Sequence, residues 1–182
     1  KEKNKKKNKK NNNKKDVFFN QITFNIDIGD KEVNLKLFKN GGIQMSGLKK
    51  KKHGKLALNV LENEIKYYYK KFKKIDNELI IDKLNIVMIN STFNCHFQIS
   101  REKLYEKLVE NKIFCIFEPC IHAAVNIKFK YSKSKKPATI LIFQTGKIII
   151  SGVKKIKDMN KTYQFITNFL IENYNNIKKI AF

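Results

Sequence analysis

Three residues of the second half, Cys115, Cys120 and His122, are of the types that bind zinc. Zinc sites use closely spaced ligand pairs, and these residues match no such spacing. Cys115 also lies within an apolar run that predicts a strand, so we expect no metal and no cofactor. The sequence has no glycine-rich phosphate loop, zinc-protease helix or nucleophile elbow, and its acidic residues are scattered. We therefore do not expect an enzyme.

Lysine is the one charged residue type that is numerous enough to set the charge of the whole chain. The 182-residue chain has 39 Lys and Arg against 16 Asp and Glu, a formal net charge of +23. This excess predicts a polyanionic partner such as nucleic acid. Residues 1–16 are almost wholly Lys and Asn and have nothing apolar to bury, which predicts a disordered insert or tail. Drift in the composition of an A·T-rich genome, without any function, is an open alternative for this run.

Three features that the sequence lacks bear on the cell compartment and on the boundaries of the chain. No apolar run approaches the roughly 18 residues of a membrane span, so no membrane partner is expected. The three cysteines are odd in number, and no apolar signal region precedes them, which favours a reducing compartment. The first residue is Lys1 and not Met, so the chain is expected to be a piece of a longer protein.

One short phrase occurs twice in the chain. Residues 38–50 and 143–155 share the frame F-x-x-G-x-I-x-x-S-G-x-K-K at an offset of 105 residues, Phe38 to Phe143. A period this long indicates two copies of a half-domain and not a solenoid. Equivalent residues of the two copies should therefore lie on one pseudo-symmetric surface.

The first half is predicted to hold three strands and one helix. Alternating apolar residues predict strands at 17–28, 33–38 and 43–46, with a hairpin turn at Asn40-Gly41-Gly42. A long helix follows, with lysines on its outer face. Its apolar stripe has the spacing of a single helix face: Leu58, Leu61, Ile65, Tyr68 and Phe72.

The second half is predicted to be more complete. Ser100 is a suitable N-cap for a helix that ends near Glu110. A closing helix has an apolar stripe formed by Tyr163, Ile166, Leu170, Tyr174 and Ile177. Five strands are predicted, at 84–89, 113–117, 123–129, 139–143 and 147–151.

Two strands of the second half are apolar on both faces. Ile148, Ile149 and Ile150 are consecutive, and Leu141 and Phe143 alternate with other apolar residues on the preceding strand. If helices cover one face of the sheet, Leu141, Phe143 and Ile149 lie on the other, open to a partner. A sheet covered on both sides, or a homodimer face, is an equal alternative.

With these motifs in order, the chain resembles the TATA-box-binding protein family. Residues 36–47 and 141–152 are similar to that family's repeated core, roughly LIF-x-SGK-h-h-h-TG-x-K, where h is apolar. Asn85-Ile86-Val87 resembles the family's Asn-Ile-Val strand, and Phe117-Glu118-Pro119 resembles its Tyr-Glu-Pro turn. The resemblance covers residues 84–182 and, in the first copy, about 17–75.

The resemblance implies an α+β saddle of two pseudo-symmetric repeats. Residues 17–80 would form the first repeat, without its opening strand and helix, and residues 81–182 the second. The strands would join into one curved antiparallel sheet with helices on its convex face. In the family the concave face binds and bends A·T-rich DNA through the minor groove.

DNA-binding roles are carried over position by position. Phe38 and Phe143 match wedge residues, Phe19 matches another, and His122 takes the place of the fourth. Asn85 matches an asparagine that bonds minor-groove acceptors. The remaining expected contacts are apolar, polar or basic positions of the same face: Gln44, Ser46, Val87, Lys128, Leu141, Lys147, Ile149 and Ser151. Gln44 and His122 depart from the family's apolar pattern.

Protein partners are also implied by the resemblance. The family's Glu-Pro-Glu-Leu stirrup binds transcription factor IIB, and its counterparts here are Glu118, Pro119, Cys120 and Ile121. The basic helix at 55–74 resembles the one that meets transcription factor IIA. A general initiation factor of the nucleus is implied, or one of a large DNA virus, in its virion or viral factory. The alternatives are a protein-interaction module of this fold and a substrate-recognition domain of a nucleic-acid-processing enzyme.

Overall fold

The structure is a computed structural model that describes residues 20–72, 82–131 and 136–179. The chain divides into two compact units, Lys1–Leu84 (unit 1) and Asn85–Phe182 (unit 2). Each unit has an antiparallel sheet and helices, so the predicted α+β class is confirmed. Where the resemblance implied one curved sheet, the described strands form two hydrogen-bonded sheets, one in each unit. The predicted insert at 1–16 and Phe19 lie outside the described residues.

Unit 1 is a three-stranded sheet with one helix. Its elements are β1 (Gln21–Asp27), β2 (Glu32–Phe38), β3 (Ile43–Ser46) and α1 (Lys51–Phe72), and the strand order is β1-β2-β3. Alternation puts every second strand residue against α1. The buried cluster between sheet and helix consists of Ile26, Val33, Leu35, Ala57 and Leu61. Strands 2 and 3 were predicted correctly, and α1 begins upstream of its apolar stripe.

Unit 2 is a five-stranded sheet with the order β4-β8-β7-β6-β5. Its strands are β4 (Ile89–Asn94), β5 (Cys115–Ile116), β6 (Ala124–Phe129), β7 (Ala138–Phe143) and β8 (Lys147–Val153). Its helices are α2 (Arg101–Glu110), α3 (Ile156–Glu172) and α4 (Tyr174–Ile177). One buried cluster joins the helices to the sheet and includes Leu104, Leu108, Ile140, Ile142, Ile148, Ile150, Ile166 and Leu170.

Helix α2 begins where its N-cap residue predicts. The Ser100 hydroxyl accepts a hydrogen bond from the Lys103 N–H at 3.5 Å, and Asn111 is the C-cap. The predicted closing helix is divided at Asn173, where α3 ends and the short α4 follows. Leu104 and Leu108, one turn apart on α2, are both fully buried.

The strand predicted at 84–89 is wrong. Residues 82–88 have no regular secondary structure, and β4 begins at Ile89. The prediction followed the most apolar run, but pairing with β8 selects the next segment, where Phe93 lies opposite Ile148 and packs against the core. The strand predicted at 113–117 is reduced to Cys115–Ile116.

The repeated phrase forms the same hairpin in both units. Gly41 and Gly146 both have φ of +80°, a left-handed conformation that favours glycine. Gly41 donates its N–H to the Phe38 carbonyl at 2.9 Å, and Gly146 donates to the Phe143 carbonyl at 3.0 Å. A Cβ at Gly146 would also collide with the Phe97 carbonyl oxygen. The two hairpins are therefore structurally equivalent at the 105-residue offset.

Candidate nucleic-acid interface

The sheet of unit 2 has a covered face and an open face. Ile140, Ile142, Ile148 and Ile150 point to the helices and are fully buried. The alternate residues of the same strands point the other way and are half-buried or exposed. We call this second side, formed by β4 to β8, the open face of unit 2.

An apolar pair occupies the middle of this open face. Leu141 on β7 lies directly opposite Ile149 on β8, on the one face where the sequence predicted both residues. The same cross-strand row continues to Asn126 on β6 and Thr92 on β4. Both Leu141 and Ile149 are half-buried, so part of each side chain is open to a partner. The row presents apolar area flanked by one amide and one hydroxyl group.

Asn126 and Thr92 were missed by the sequence reasoning. The Oδ1 atom of Asn126 is buried and has no hydrogen-bond partner among the described residues. Strand alternation from Leu141 could have placed Asn126 on the open face, but its position depends on the register of β6 against β7. Thr92 was missed because its strand was predicted at the wrong residues.

Hydroxyl and basic groups flank the apolar pair. The Lys128 ammonium donates to the Thr139 Oγ1 at 2.8 Å across β6 and β7. Thr139 lies opposite Ser151, so these groups form a second cross-strand row. At the other end of β8, Lys147 is exposed on the hairpin. The structure thus brings Lys128, Lys147 and Ser151 to the predicted face.

His122 and Phe143 lie together at one end of this face. Their ring centroids are 6.2 Å apart, with an angle of 45° between the planes. The His122 Nδ1 accepts a hydrogen bond from the Ala124 N–H at 3.1 Å, which orients the imidazole ring. These two predicted wedge positions are therefore neighbours.

The residues before His122 form an exposed turn. The N–H groups of Ile121 and His122 both donate to the Glu118 carbonyl, at 2.9 and 2.8 Å. Pro119 and Cys120 are exposed, and Ile121 is 80% exposed. Ile121 is therefore an exposed apolar side chain at the end of a hydrogen-bonded turn.

The side of the unit 1 sheet opposite α1, the open face of unit 1, is largely polar. Phe38, Gln44 and Ser46 lie on the side of the sheet opposite α1, as predicted. Sequence reasoning missed their neighbours of the same face, although the alternation of residues 33–38 indicates two of them. These neighbours are Thr23, Asn25, Asn34 and Lys36. Asn34 Nδ2 donates to Asn25 Oδ1 at 2.9 Å.

Asn85 and Val87 are not on either sheet. Both lie in the irregular segment before β4, and Val87 is 74% exposed. The structure therefore does not bring them to the strand position that the resemblance implied. Their role in DNA binding stays a prediction.

Helix α1 carries the basic surface of unit 1. Its exposed lysines are Lys51, Lys52, Lys55, Lys66, Lys70 and Lys71. Two of them have neighbours on the helix: Lys66 forms an ion pair with Glu62 at 2.6 Å, and Lys71 lies 6.0 Å from the Tyr67 ring centroid. Among the residues that the structure describes, the other four lysines form no ion pair.

The cysteines do not assemble a metal site. Within residues 20–72, 82–131 and 136–179, no group of three or more His, Cys, Asp or Glu could hold a metal ion. Burial raises the pKa of the Cys115 thiol, because desolvation disfavours the thiolate. No described helix is long and apolar enough to cross a membrane.

The geometry defines an α+β protein of helix-covered antiparallel sheets, with equivalent hairpins on two open faces. The family model "Transcription factor TFIID (or TATA-binding protein, TBP)" matches residues 83–173, half of the chain. The chain belongs to the TATA-binding protein family. Proteins of this family are DNA-binding transcription factors without enzymatic activity, so the prediction that the chain is not an enzyme is confirmed.

Relatives extend the similarity beyond the second unit. A TATA-box-binding protein-like protein of Acanthamoeba polyphaga mimivirus is 30% identical over 185 aligned residues, covering 88% of this chain and 50% of the relative. TATA-box-binding protein 2 of Entamoeba histolytica is 26% identical over 137 residues, covering 75% of this chain and 58% of the relative. The chain spans about half the length of the curated relatives that it matches.

A solved structure shares the fold. Methanococcus jannaschii TBP superposes with a TM-score of 0.58 at 19% identity, covering 85% of this chain and 79% of that chain. Since identity is this low, the superposition establishes the shared fold alone.

Proposed function

We propose that the chain binds A·T-rich double-stranded DNA in the minor groove, bends it, and acts as a TATA-box-binding-protein-like transcription initiation factor. The observation that carries this proposal is the apolar pair Leu141 and Ile149 on the open face of unit 2. The helices of unit 2 pack on the other side of its sheet, and an apolar surface between basic groups calls for a partner.

Minor-groove chemistry explains why A·T pairs suit this face. An A·T pair presents only the acceptors adenine N3 and thymine O2 there, whereas a G·C pair adds the guanine amino donor. Leu141 and Ile149 have no acceptor for that amino group, so a guanine beneath them is desolvated without compensation. The nearby hydroxyls of Thr92 and Ser151 are able to donate to the A·T acceptors.

Bending would follow from the rings at the end of the face. Apolar side chains inserted between base steps unstack them and kink the duplex toward the major groove. Phe143 and His122 are adjacent there, and Phe38 is the hairpin counterpart in unit 1. Lys128 and Lys147 would approach phosphates beside the groove.

The test is fluorescence anisotropy of the full chain on an A·T-rich and a G·C-rich duplex, over a series of salt concentrations. We expect tighter binding to the A·T-rich duplex and a log–log salt slope of about −0.9 per neutralised phosphate. Replacing Lys147 with glutamine should make the slope shallower by about one unit. Lys161→Gln on α3 is the control and should leave the slope unchanged. Equal affinity for both duplexes would contradict the proposal and leave a non-specific basic binder.

We also propose that the chain contacts general transcription factors resembling IIB and IIA. The IIB-like contact would use Glu118, Pro119, Cys120 and Ile121, because the exposed Ile121 supplies an apolar contact on a closed turn. The IIA-like contact would use the lysines of α1. The nucleus would be the site of action, or the virion or viral factory of a large DNA virus.

Ile121→Asp should separate partner binding from DNA binding. We expect the variant to shift an A·T-rich duplex as the parent chain does, but to lose the slower complex formed when a IIB-type factor is added. The affinity for the factor should fall at least about ten-fold, the usual cost of losing an apolar contact at an interface centre. Electrophoretic mobility shift measures both properties. A IIB-type complex that survives the substitution would remove the turn from the interface.

A further inference from the structure

The open faces of the two units carry different residues at equivalent positions of the repeat. The paired hairpin glycines, Gly41 and Gly146, fix the offset of 105 residues. At this offset the Leu141–Ile149 pair of unit 2 corresponds to Lys36 opposite Gln44 in unit 1. An apolar cross-strand pair in one unit is therefore a polar pair in the other.

The polar pair of unit 1 is open to a ligand. Gln44 is exposed and Lys36 is half-buried, and neither side chain makes a hydrogen bond or ion pair among the described residues. Their neighbours of the same face, Asn25 and Asn34, are already bonded to each other at 2.9 Å. Gln44 thus presents an unused carbonyl acceptor and amide donor, and Lys36 presents an unused ammonium donor.

A guanine in the minor groove needs what Gln44 provides. The guanine amino group is the only donor on the minor-groove edge of the four base pairs. The Gln44 Oε1 can accept from it, while the amide Nε2 and the Lys36 Nζ can donate to a neighbouring O2 or N3. The corresponding pair in unit 2, Leu141 and Ile149, offers no acceptor.

We propose that the two units read different half-sites: unit 2 binds an A·T half-site, and unit 1 binds a half-site that contains a guanine recognised by Gln44. This inference rests on the proposed minor-groove binding. Because only one half-site contains guanine, the difference orients the protein on the duplex. Gln44 is a specificity-determining residue, and Lys36 supports it.

The test uses a duplex with a symmetric A·T core and a single G·C pair in one half. In matched duplexes inosine replaces guanine, which removes only the amino group, or diaminopurine replaces an adenine, which adds it. Anisotropy should show binding weakened by about five-fold with inosine, the equivalent of one hydrogen bond. Diaminopurine in one half of an all-A·T core should restore that binding.

Orientation gives a second, independent measurement. An iron chelate attached to the exposed Cys120 of unit 2 cleaves the nearby DNA strand and so reports which half unit 2 occupies. For the parent chain, cleavage should fall mainly at the A·T half. For Gln44→Ile, the two halves should be cleaved equally, because residue 44 then matches the apolar Ile149 and neither unit has an amide acceptor at this position. Adding Ile149→Gln to Gln44→Ile should reverse the orientation.

The outcomes separate this inference from the function on which it rests. If no duplex binds better than a G·C-rich control, minor-groove recognition fails and the inference falls with it. The chain could bind and bend the A·T core but bind the inosine and guanine duplexes equally, with both halves cleaved equally by the parent chain. This result would overturn only the guanine half-site. An unchanged orientation in Gln44→Ile would likewise overturn the role of Gln44.

Discussion

Replacing Ile150 with alanine is expected to lower the free energy of unfolding by about 2–5 kcal/mol, the usual cost of truncating a buried isoleucine. Ile150 is fully buried in the cluster beneath α2 and α3. Its neighbour Ile149 points to the open face and is only half-buried. Ile149→Ala should therefore cost clearly less, about 1 kcal/mol, since less apolar area leaves contact. Urea denaturation followed by circular dichroism measures both values.

The same two variants should show the opposite order of effects on DNA affinity. Ile149→Ala is expected to weaken binding to an A·T-rich duplex about ten-fold, because the contact area at the centre of the face shrinks. Ile150→Ala should bind nearly as the parent chain does, when measured below its unfolding transition. Equal loss of stability in both variants would instead mean that both faces of the sheet are covered, the alternative that the sequence leaves open.

Local signals explain which elements were predictable. The hairpins around Gly41 and Gly146 are coded by glycines that the turns require, and by strand-forming residues on either side, which alternate around Gly41 and are continuously apolar around Gly146. Helix α2 is coded by its cap Ser100 and by leucines one turn apart. In each case a few consecutive residues hold the information, so an isolated sequence is sufficient.

Non-local pairing explains what was not predictable. Strand β4 consists largely of polar residues, and the more apolar residues 84–88 precede it without forming a strand. Its position is decided by register against β8, which follows more than fifty residues later in the chain. The sequence pattern contains no signal for that choice. Asn85 and Val87 were misplaced, and Thr92 was missed, for this single reason.

The apolar part of the candidate site was predictable from the sequence. Phe143, Leu141 and Ile149 follow from a strand that is apolar on both faces. In unit 1 the resemblance drew attention to Gln44 but not to Lys36, which lies opposite it. Lys36 and Gln44 both depart from the apolar pattern. Only the register of β2 against β3 shows that these two residues form one polar pair.

Phe143→Ala is expected to abolish most of the DNA bend and to weaken A·T binding by about 10- to 100-fold, the range for loss of one aromatic stacking contact. Phe143 ends β7 at the edge of the open face, and the tight turn through Gly146 limits how its backbone can move. The ring of His122 is too small in apolar area to replace it as a wedge. Energy transfer between dyes on the duplex ends measures the bend.

The matched control is Tyr163→Ala. Tyr163 lies on α3 and its ring contacts Phe93 at a centroid distance of 4.8 Å, on the covered side of the sheet. This variant loses an aromatic ring of similar size but should keep the parent's bend, because the open face is untouched. A bend that persists in Phe143→Ala, at DNA saturation, would show that curvature of the duplex does not depend on this ring.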